Sequence, residues 1–496
     1  MAAPTPQSNS SLLGAITTEL DKISPRFEIK QSQMEILKSP TEFYETLKAK
    51  ILKARRRIYL STLYIGKTEH ELISTIREAL IKNPDLQVSF LTDALRGTRE
   101  TPLPSCASLL VPLVAEFGPK RVEIRMFHTP NLTGVRKQVI PRRINEGWGL
   151  QHMKLYGVDD ELIMSGANLS DDYFTNRQDR YHVFSSAEIT SYFSKIHSTV
   201  CSLSYLIEPS SDPTGYTMAW PTTNPSPSPL DNPKAFKSAA TTTLSPLLTL
   251  SNSPSLPFPT SSSPTSPSKT LIYPLLQLTP LLSPNTSTEQ PAIHTLLRLL
   301  STPPFTHSRW TFTAGYFNMT PALRRLLLAT RPAHGTVLAA HPHANGFYNS
   351  PGVSGMLPAA YTLLARRFLG YVRRSGQSER IELREWKRGV VSEAGGWTYH
   401  AKGIWVTLPG EEGVGPSVSV VGSSNYTKRS YELDIEAGVA IVTGDEGLKR
   451  KLREEEVWLQ EHAKTVGREE FEKPERRVGV TVRLAMWVVR VLGGAL

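Results

Sequence analysis

Two histidine–lysine pairs carry the chemistry this chain can do. His152 and Lys154 lie in QHMKLYGVDDELIMSGANLS, and His400 and Lys402 lie in YHAKGIWV. Side chains two apart on an extended segment share one face, so each imidazole and ammonium reach one anion together. Two such pairs describe a phosphate site. The first runs on to Gly166-Ala167-Asn168 and the second to Gly422-Ser423-Ser424-Asn425. These are small-residue turns in which Asn168, Asn425 and Ser423 are expected to bind or orient phosphate oxygens. Asp179 and Glu436 follow, each eleven residues beyond its Asn. An acid so placed can hold one ring nitrogen of a histidine, fix its tautomer and leave the other nitrogen to attack or to move a proton.

The pairs need strands beneath them. Ser39 or Thr41 can cap a helix whose Phe43, Leu47 and Ile51 share a face, and RIYLSTLYI (57–65) reads as a buried strand. A helix from Thr68 leads to strand QVSFLTD (87–93) and the loop Arg96-Gly97-Thr98-Arg99, an anion cradle or a solvated turn. Strand 122–127 precedes a basic stretch with Arg136, Lys137, Arg142 and Arg143 that leads straight into His152. With Arg96, these four are the candidate substrate-binding cations. WTFTAGYFN (310–318) then repeats the character of IYLSTLYIG, and TVLAAHPHANGF that of QVSFLTDALRG. From Asp93 to His152 is 59 residues, and from His341 to His400 is again 59. A duplicated α/β domain follows from that agreement, with both pairs at one pseudo-twofold interface.

With 496 residues there is chain enough for two such domains. A formal net charge of +11 asks for an anionic partner without choosing among nucleic acid, acidic lipid and phosphorylated metabolites. The two cysteines, Cys106 and Cys201, lack disulfide or zinc spacing and read as buried small hydrophobes. No stretch reaches the roughly 18 apolar residues of a membrane-spanning helix, and residues 1–25 fit neither a transit peptide nor a secretory signal.

Residues 221–268 hold 11 Pro and 20 Ser or Thr among 48, with one acid, a composition that predicts a disordered insertion. The expected division is a lead-in 1–38, a first domain 39–208, an insertion 209–290, a second domain 291–466 and a basic amphipathic tail 467–496. The helix at 448–466 reads as solvent-facing. In the tail, Arg476, Arg483 and Arg490 stand seven apart beside Trp487. This spacing suits an interfacial helix on lipid, with Arg483, Trp487 and Arg490 as membrane residues, while Val478, Val480 and Val482 also suit an edge strand.

HMKLYGVD resembles the HxKxxxxD motif of the phospholipase D superfamily, with His152, Lys154 and Asp159 on its three positions; in the second copy Thr407 replaces the Asp. YLSTLYIG, DYFTNRQDRY, WTFTAGYFN and HAKGIW further resemble the mitochondrial phosphatidylglycerophosphate synthase family, over roughly 40–208 and 270–495. The resemblance implies an α/β fold of two pseudo-twofold-related phospholipase D-like domains. It also implies catalysis by His152, Lys154, Asp159, His400 and Lys402, with His152 as nucleophile and His400 as general acid and base. Implied partners are CDP-diacylglycerol, glycerol 3-phosphate and an anionic membrane surface at the mitochondrial inner membrane. No cofactor, metal or nucleic acid is expected. A phosphatidylserine or cardiolipin synthase of the same superfamily, or a tyrosyl-DNA phosphodiesterase-like enzyme, are the alternatives; Asp159 and the apolar tail argue against the last.

Overall fold

A computed structural model describes residues 9–141, 144–249 and 269–491. The chain opens with two short strands, β1 (Phe27–Ile29) and β2 (Met34–Leu37). There follow β3 (Arg57–Ser61), β4 (Gln87–Asp93), β5 (Val122–Phe127), β6 (Leu155–Val158), β7 (Glu161–Ser165), β8 (Arg177–Gln178), β9 (Tyr181–Ser185), β10 (Tyr205–Pro209) and β11 (Tyr216–Ala219). The remainder holds β12 (Thr270–Gln277), β13 (Arg309–Ala314), β14 (His334–Ala340), β15 (Ile381–Trp386), β16 (Thr398–Tyr399), β17 (Lys402–Thr407), β18 (Val418–Gly422), β19 (Glu436–Thr443) and β20 (Ala463–Thr465).

Two large sheets result, and they repeat one another strand for strand. The order β10-β5-β4-β3-β6-β7-β9-β2 in the first is matched by β20-β15-β14-β13-β17-β18-β19-β12 in the second. In each, three central strands are parallel and the rest antiparallel. This is the two-domain α/β fold expected from the duplicated spacing. Helices Pro40–Lys53, His70–Lys82 and Cys106–Phe117 cover the outer face of the first sheet, burying Phe43, Leu47, Leu72, Ile76 and Leu110. Ser39 caps the first of them, accepting from the Glu42 N–H. A second cluster covers the outer face of the other sheet, and a third lies between the sheets and mixes residues of both halves, among them Leu155, Met164, Trp405 and Ile441. Cys106 and Cys201 are both buried free thiols.

Several boundaries differ from expectation. Residues 27–37 are no detached lead-in, because β1 pairs with β12 in the second sheet and β2 with β9 in the first. The expected disorder of 209–290 does not hold for the described part of that span. Helix Pro233–Leu248 is capped by Asn232 and buries Phe236, Ala240, Leu244 and Leu248, an i,i+4 stripe that the Pro/Ser/Thr composition conceals. β12 pairs with β19 over eight residues. Residues 250–268 lie outside the described residues.

The helix at Glu446–Trp458 is not simply solvent-facing, since Leu448, Leu452 and Glu455 are buried. In the tail, a helix runs from Val480 to Val491, so Val478, Val480 and Val482 form no edge strand. Arg476 precedes that helix, is buried and makes a two-pronged pair with Glu385 at 2.6 and 2.7 Å. It therefore shares no helical face with Arg483 and Arg490.

Candidate active site

Each histidine is placed by a strand that crosses between the halves. Gln151 bridges to Ile435 in parallel, with the His152 N–H donating to the Ile435 carbonyl at 2.9 Å. On the other side β16 pairs with β8, and the His400 N–H donates to the Gln178 carbonyl at 2.8 Å. The consequence is a crossed arrangement of acids. Nδ1 of His152 lies 2.8 Å from Oε2 of Glu436, and Nδ1 of His400 lies 2.6 Å from Oδ2 of Asp179. The acid of each half holds the histidine of the other, which leaves both Nε2 atoms for chemistry.

The lysines fold back on the same loops. Lys154 Nζ donates to the His152 carbonyl at 2.6 Å and Lys402 Nζ to the His400 carbonyl at 2.5 Å, both ammonium groups being buried. Lys402 also reaches Asp179 at 3.3 Å. A Cβ on Gly166 would come within 2.6 Å of Lys402 Nζ and 2.7 Å of Asp179 Oδ1, so only glycine fits beneath that pair. Ser423 donates to Glu436 Oε2 at 2.5 Å, which makes it an orienter of the acid. Asn168 donates to the Tyr173 hydroxyl at 3.2 Å, while Asn425 Oδ1 is buried without a hydrogen-bond partner.

Electrostatics distinguish the two halves. Burial raises Asp179, but the Lys402 ammonium and the His400 hydrogen bond outweigh it and hold the carboxyl below its ordinary value. Burial wins at Glu436, pushing it up to about 7 against the pull of Lys154. Burial, then the neighbouring lysines, depress both imidazoles well below the usual histidine value. Burial likewise brings Lys154 down to about 7.

The two Nε2 atoms also differ. That of His400 lies 3.3 Å from the Tyr173 hydroxyl, and its side chain is 3% exposed; that of His152 has no hydrogen bond among the described residues, and its side chain is 11% exposed. Tyr173 and Tyr316 stand edge-on to the His400 ring, each with centroids 5.2 Å away, and Tyr361 stacks on Tyr316. Arg177 lies over Tyr173 at 4.5 Å and pairs with Asp172 at 2.7 Å. Asp434 is the positional counterpart of Arg177, two residues before the acid of its half, and pairs with Arg429 at 2.8 Å.

Sequence reasoning missed these six residues, Tyr173, Tyr316, Tyr361, Arg177, Asp434 and Arg429. Tyr173, Arg177 and Tyr316 sit within the segments that carry the family resemblance, and those segments were the available signal. His152, Asp434 and Glu436 offer three ligand-type atoms within 4.8 Å of one another. Arg429 already pairs with Asp434 there, and the nearby Lys154 pulls on Glu436, so a divalent ion would compete with the first and be repelled by the second.

Asp159 is not where the motif suggested. It sits in the β6–β7 turn at φ 50° and accepts the backbone N–H groups of Arg55, Arg56 and Arg57 at 2.8, 2.8 and 3.1 Å. It is a structural acid that anchors the start of β3. At the matching place Thr407 continues strand β17, paired with Arg309, so the second copy makes no such turn. Of the candidate cations, Arg96 stacks on Tyr64 at 4.2 Å and pairs with Glu100. Tyr64 is the counterpart of Tyr316, because Ser61 faces Leu155 and Thr313 faces Gly403, each one residue past its lysine. Arg136 and Lys137 stand on an exposed helical turn, Gly134–Val139, where Lys137 acts after burial to depress His128, and among the described residues neither makes a hydrogen bond or ion pair with His152 or His400. Arg142 and Arg143 lie outside the described residues.

The chain is 45% identical over 491 residues to the CDP-diacylglycerol–glycerol-3-phosphate 3-phosphatidyltransferase of Saccharomyces cerevisiae, covering 98% of this chain and 93% of that one. It is 34% identical to the mitochondrial human protein of the same name, covering 94% of this chain and 84% of the other. It belongs to the CDP-diacylglycerol–glycerol-3-phosphate 3-phosphatidyltransferase family. No family model matches the sequence. Among solved structures, the phosphatidylserine synthase of Haemophilus influenzae superposes with a TM-score of 0.71 at 21% identity, covering 97% of this chain and 98% of that one. That likeness extends to the fold. Family membership thus agrees with the resemblance that the His-Lys segments carried.

Proposed function

We propose that this member of the family transfers a phosphatidyl group from CDP-diacylglycerol to glycerol 3-phosphate, releasing CMP and making phosphatidylglycerophosphate. The crossed pairing of His152 with Glu436 and His400 with Asp179 carries the mechanism. His152 Nε2, the open nitrogen, attacks the phosphatidyl phosphorus. The N–P bond forms as the bond to the CMP oxygen breaks, and His400 gives that oxygen a proton from Nε2; it enters the step as the imidazolium, the form that Asp179 at Nδ1 favours against burial and Lys402. The hydroxyl of glycerol 3-phosphate then loses its proton to His400 and attacks the same phosphorus, restoring His152. Lys154, Lys402, Asn168 and Asn425 hold the charge that builds on the phosphoryl oxygens. Every proton and phosphorus bond is thereby accounted for by the chain's own groups.

The mitochondrial forms among its relatives support a mitochondrial setting. Among the described residues no helix is long and apolar enough to cross a membrane. Peripheral attachment at the inner membrane is the reading the exposed Arg483 and Trp487 favour. Arg490 belongs to the same helix.

The deciding experiment incubates purified protein with CDP-diacylglycerol labelled in the phosphatidyl phosphate, with and without glycerol 3-phosphate. The expected result is CMP release coupled to labelled phosphatidylglycerophosphate, and an acid-labile label on a peptide containing His152 when the acceptor is withheld. Label on a His400 peptide would reverse the roles of the histidines. A faster reaction with serine or water would replace the acceptor.

A further inference from the structure

A cavity of about 790 Å³ opens between helix Leu357–Arg374 and the C-terminal segment, and none of the phosphate-site residues lines it. The helix reads LPAAYTLLARRFLGYVRR, with four arginines and no acid. Tyr361, Ala365, Phe368 and Val372 bury its inner face. Arg366 and Arg367 are exposed seven residues before Arg373 and Arg374, so all four lie along one outer side. Arg468 and Arg483 close the opposite wall. Arg468 pairs with Glu472 at 3.1 Å, but the other five arginines make no ion pair among the described residues. Five guanidinium groups without a carboxylate partner therefore share one groove, a concentration of positive charge and N–H donors that favours an external anion.

A second observation decides which anion. Helix Val480–Val491 borders the groove and exposes Val480, Leu484 and Trp487 at 79, 58 and 60%. The spacing i, i+4, i+7 makes them one stripe. A dissolved phosphate metabolite or a nucleic acid would satisfy the arginines and leave that stripe in water. A bilayer satisfies both.

We propose that this groove is a docking site for the phosphate headgroups of an acidic phospholipid bilayer, with Leu484 and Trp487 entering the acyl boundary. The proposal rests on the lipid-substrate reading of the active site and adds the chemical class of membrane and a second element to it. Helix 357–374 links the two places, since Tyr361 near its start stacks on Tyr316 beside His400.

The test is co-sedimentation of the full chain with phosphatidylcholine vesicles, with and without phosphatidylglycerol, for wild type and for R366E/R367E/R373E/R374E. Phosphatidyl transfer in detergent micelles and the thermal midpoint are read in parallel. Wild type is expected to bind the acidic vesicles at least tenfold more tightly than the neutral ones. The variant loses that preference while keeping micellar activity and its midpoint. L484S/W487S is expected to weaken binding without restoring tolerance of neutral vesicles. Equal binding by wild type and the arginine variant, or binding indifferent to phosphatidylglycerol, overturns the proposal. So does loss of DNA or RNA binding by the arginine variant with vesicle binding intact. Wild type inactive in micelles yet selective for acidic vesicles would sink the proposed reaction and leave the groove standing.

Discussion

His152 and Glu436 come from opposite halves of the chain and meet with Nδ1 2.8 Å from Oε2, and Asp179 repeats the relationship in reverse with His400. Each acid therefore acts on a step assigned to the other half's histidine. Glu436→Gln is expected to slow formation of the phosphohistidine by about 10²-fold or more, measured by rapid-quench release of CMP. Unchanged single-turnover rates would remove Glu436 from the chemistry.

The Glu436 carboxyl, raised by burial to about 7, gives the first step a pH signature. Ionised Glu436 accepts the Nδ1 hydrogen and leaves Nε2 of His152 with its lone pair. Since the carboxylate forms as pH rises through about 7, the rate of CMP release should climb over that range. Glu436→Gln should flatten the climb, and a variant profile with the same limb as wild type would assign that limb elsewhere.

Arg177 lies over Tyr173 beside His400, and its pairing with Asp172 and Thr398 leaves N–H groups to spare. Arg177→Ala is expected to raise the KM for glycerol 3-phosphate about tenfold, the value of one charge-assisted hydrogen bond, with a smaller change in kcat. Saturation with glycerol 3-phosphate at the wild-type concentration would show that the guanidinium does not touch the acceptor.

Asp159 separates structure from chemistry. Asp159→Ala strips three backbone N–H groups of their acceptor and should cost about 1–3 kcal/mol of stability, read as a lower thermal midpoint. Turnover at a permissive temperature should stay within about twofold of wild type. A large fall in kcat in a folded variant would return Asp159 to the active site.

Next to Asp179, Arg180 crosses into the second half, bonds both oxygens of Glu455 at 2.9 and 2.7 Å and lies 3.8 Å over Trp405. His182 reaches the same carboxylate at 2.7 Å. Breaking this buried cluster with Glu455→Ala should cost about 3–5 kcal/mol. Burial works to raise Glu455, and Arg180 with His182 overcomes it and holds the carboxyl well below the ordinary 4.5. Its stabilisation is therefore complete above the unfolded value near 4.5 and drains away as pH falls below it. Denaturant titrations should show a shallower acid limb in Glu455→Gln; identical limbs would place the acid sensitivity in another group.

The paired histidines, lysines and acids were legible because a repeat tests itself: His400 stands where His152 predicts, and Glu436 where Asp179 does. Strands 87–93 and 122–127 were legible from hydrophobic runs bounded by turn residues. The crossing of the acids was not, since it depends on short parallel pairings between residues 284 positions apart, as in His152 with Glu436. β12 was hidden because TLIYPLLQ carries a proline and follows a Pro/Ser-rich run; the proline is tolerated because pairing with β1 stops at Ile272, leaving Pro274 with β19 on one side only. Asp159 misled because a motif position reports recurrence and not purpose. Arg180 and Glu455 look like ordinary surface charges in sequence, and only burial between the sheets gives them their role.

Strand β1 pairs Phe27 with Ile272, so during synthesis it waits for a partner made 245 residues later, the difference between the two positions. At about 5–20 residues per second that wait is on the order of 10–50 s. Glu436 arrives later still. Nascent chains, or chains truncated before Glu436, therefore carry His152 without the acid that orients it, and the proposed phosphorus chemistry waits until Glu436 has been made.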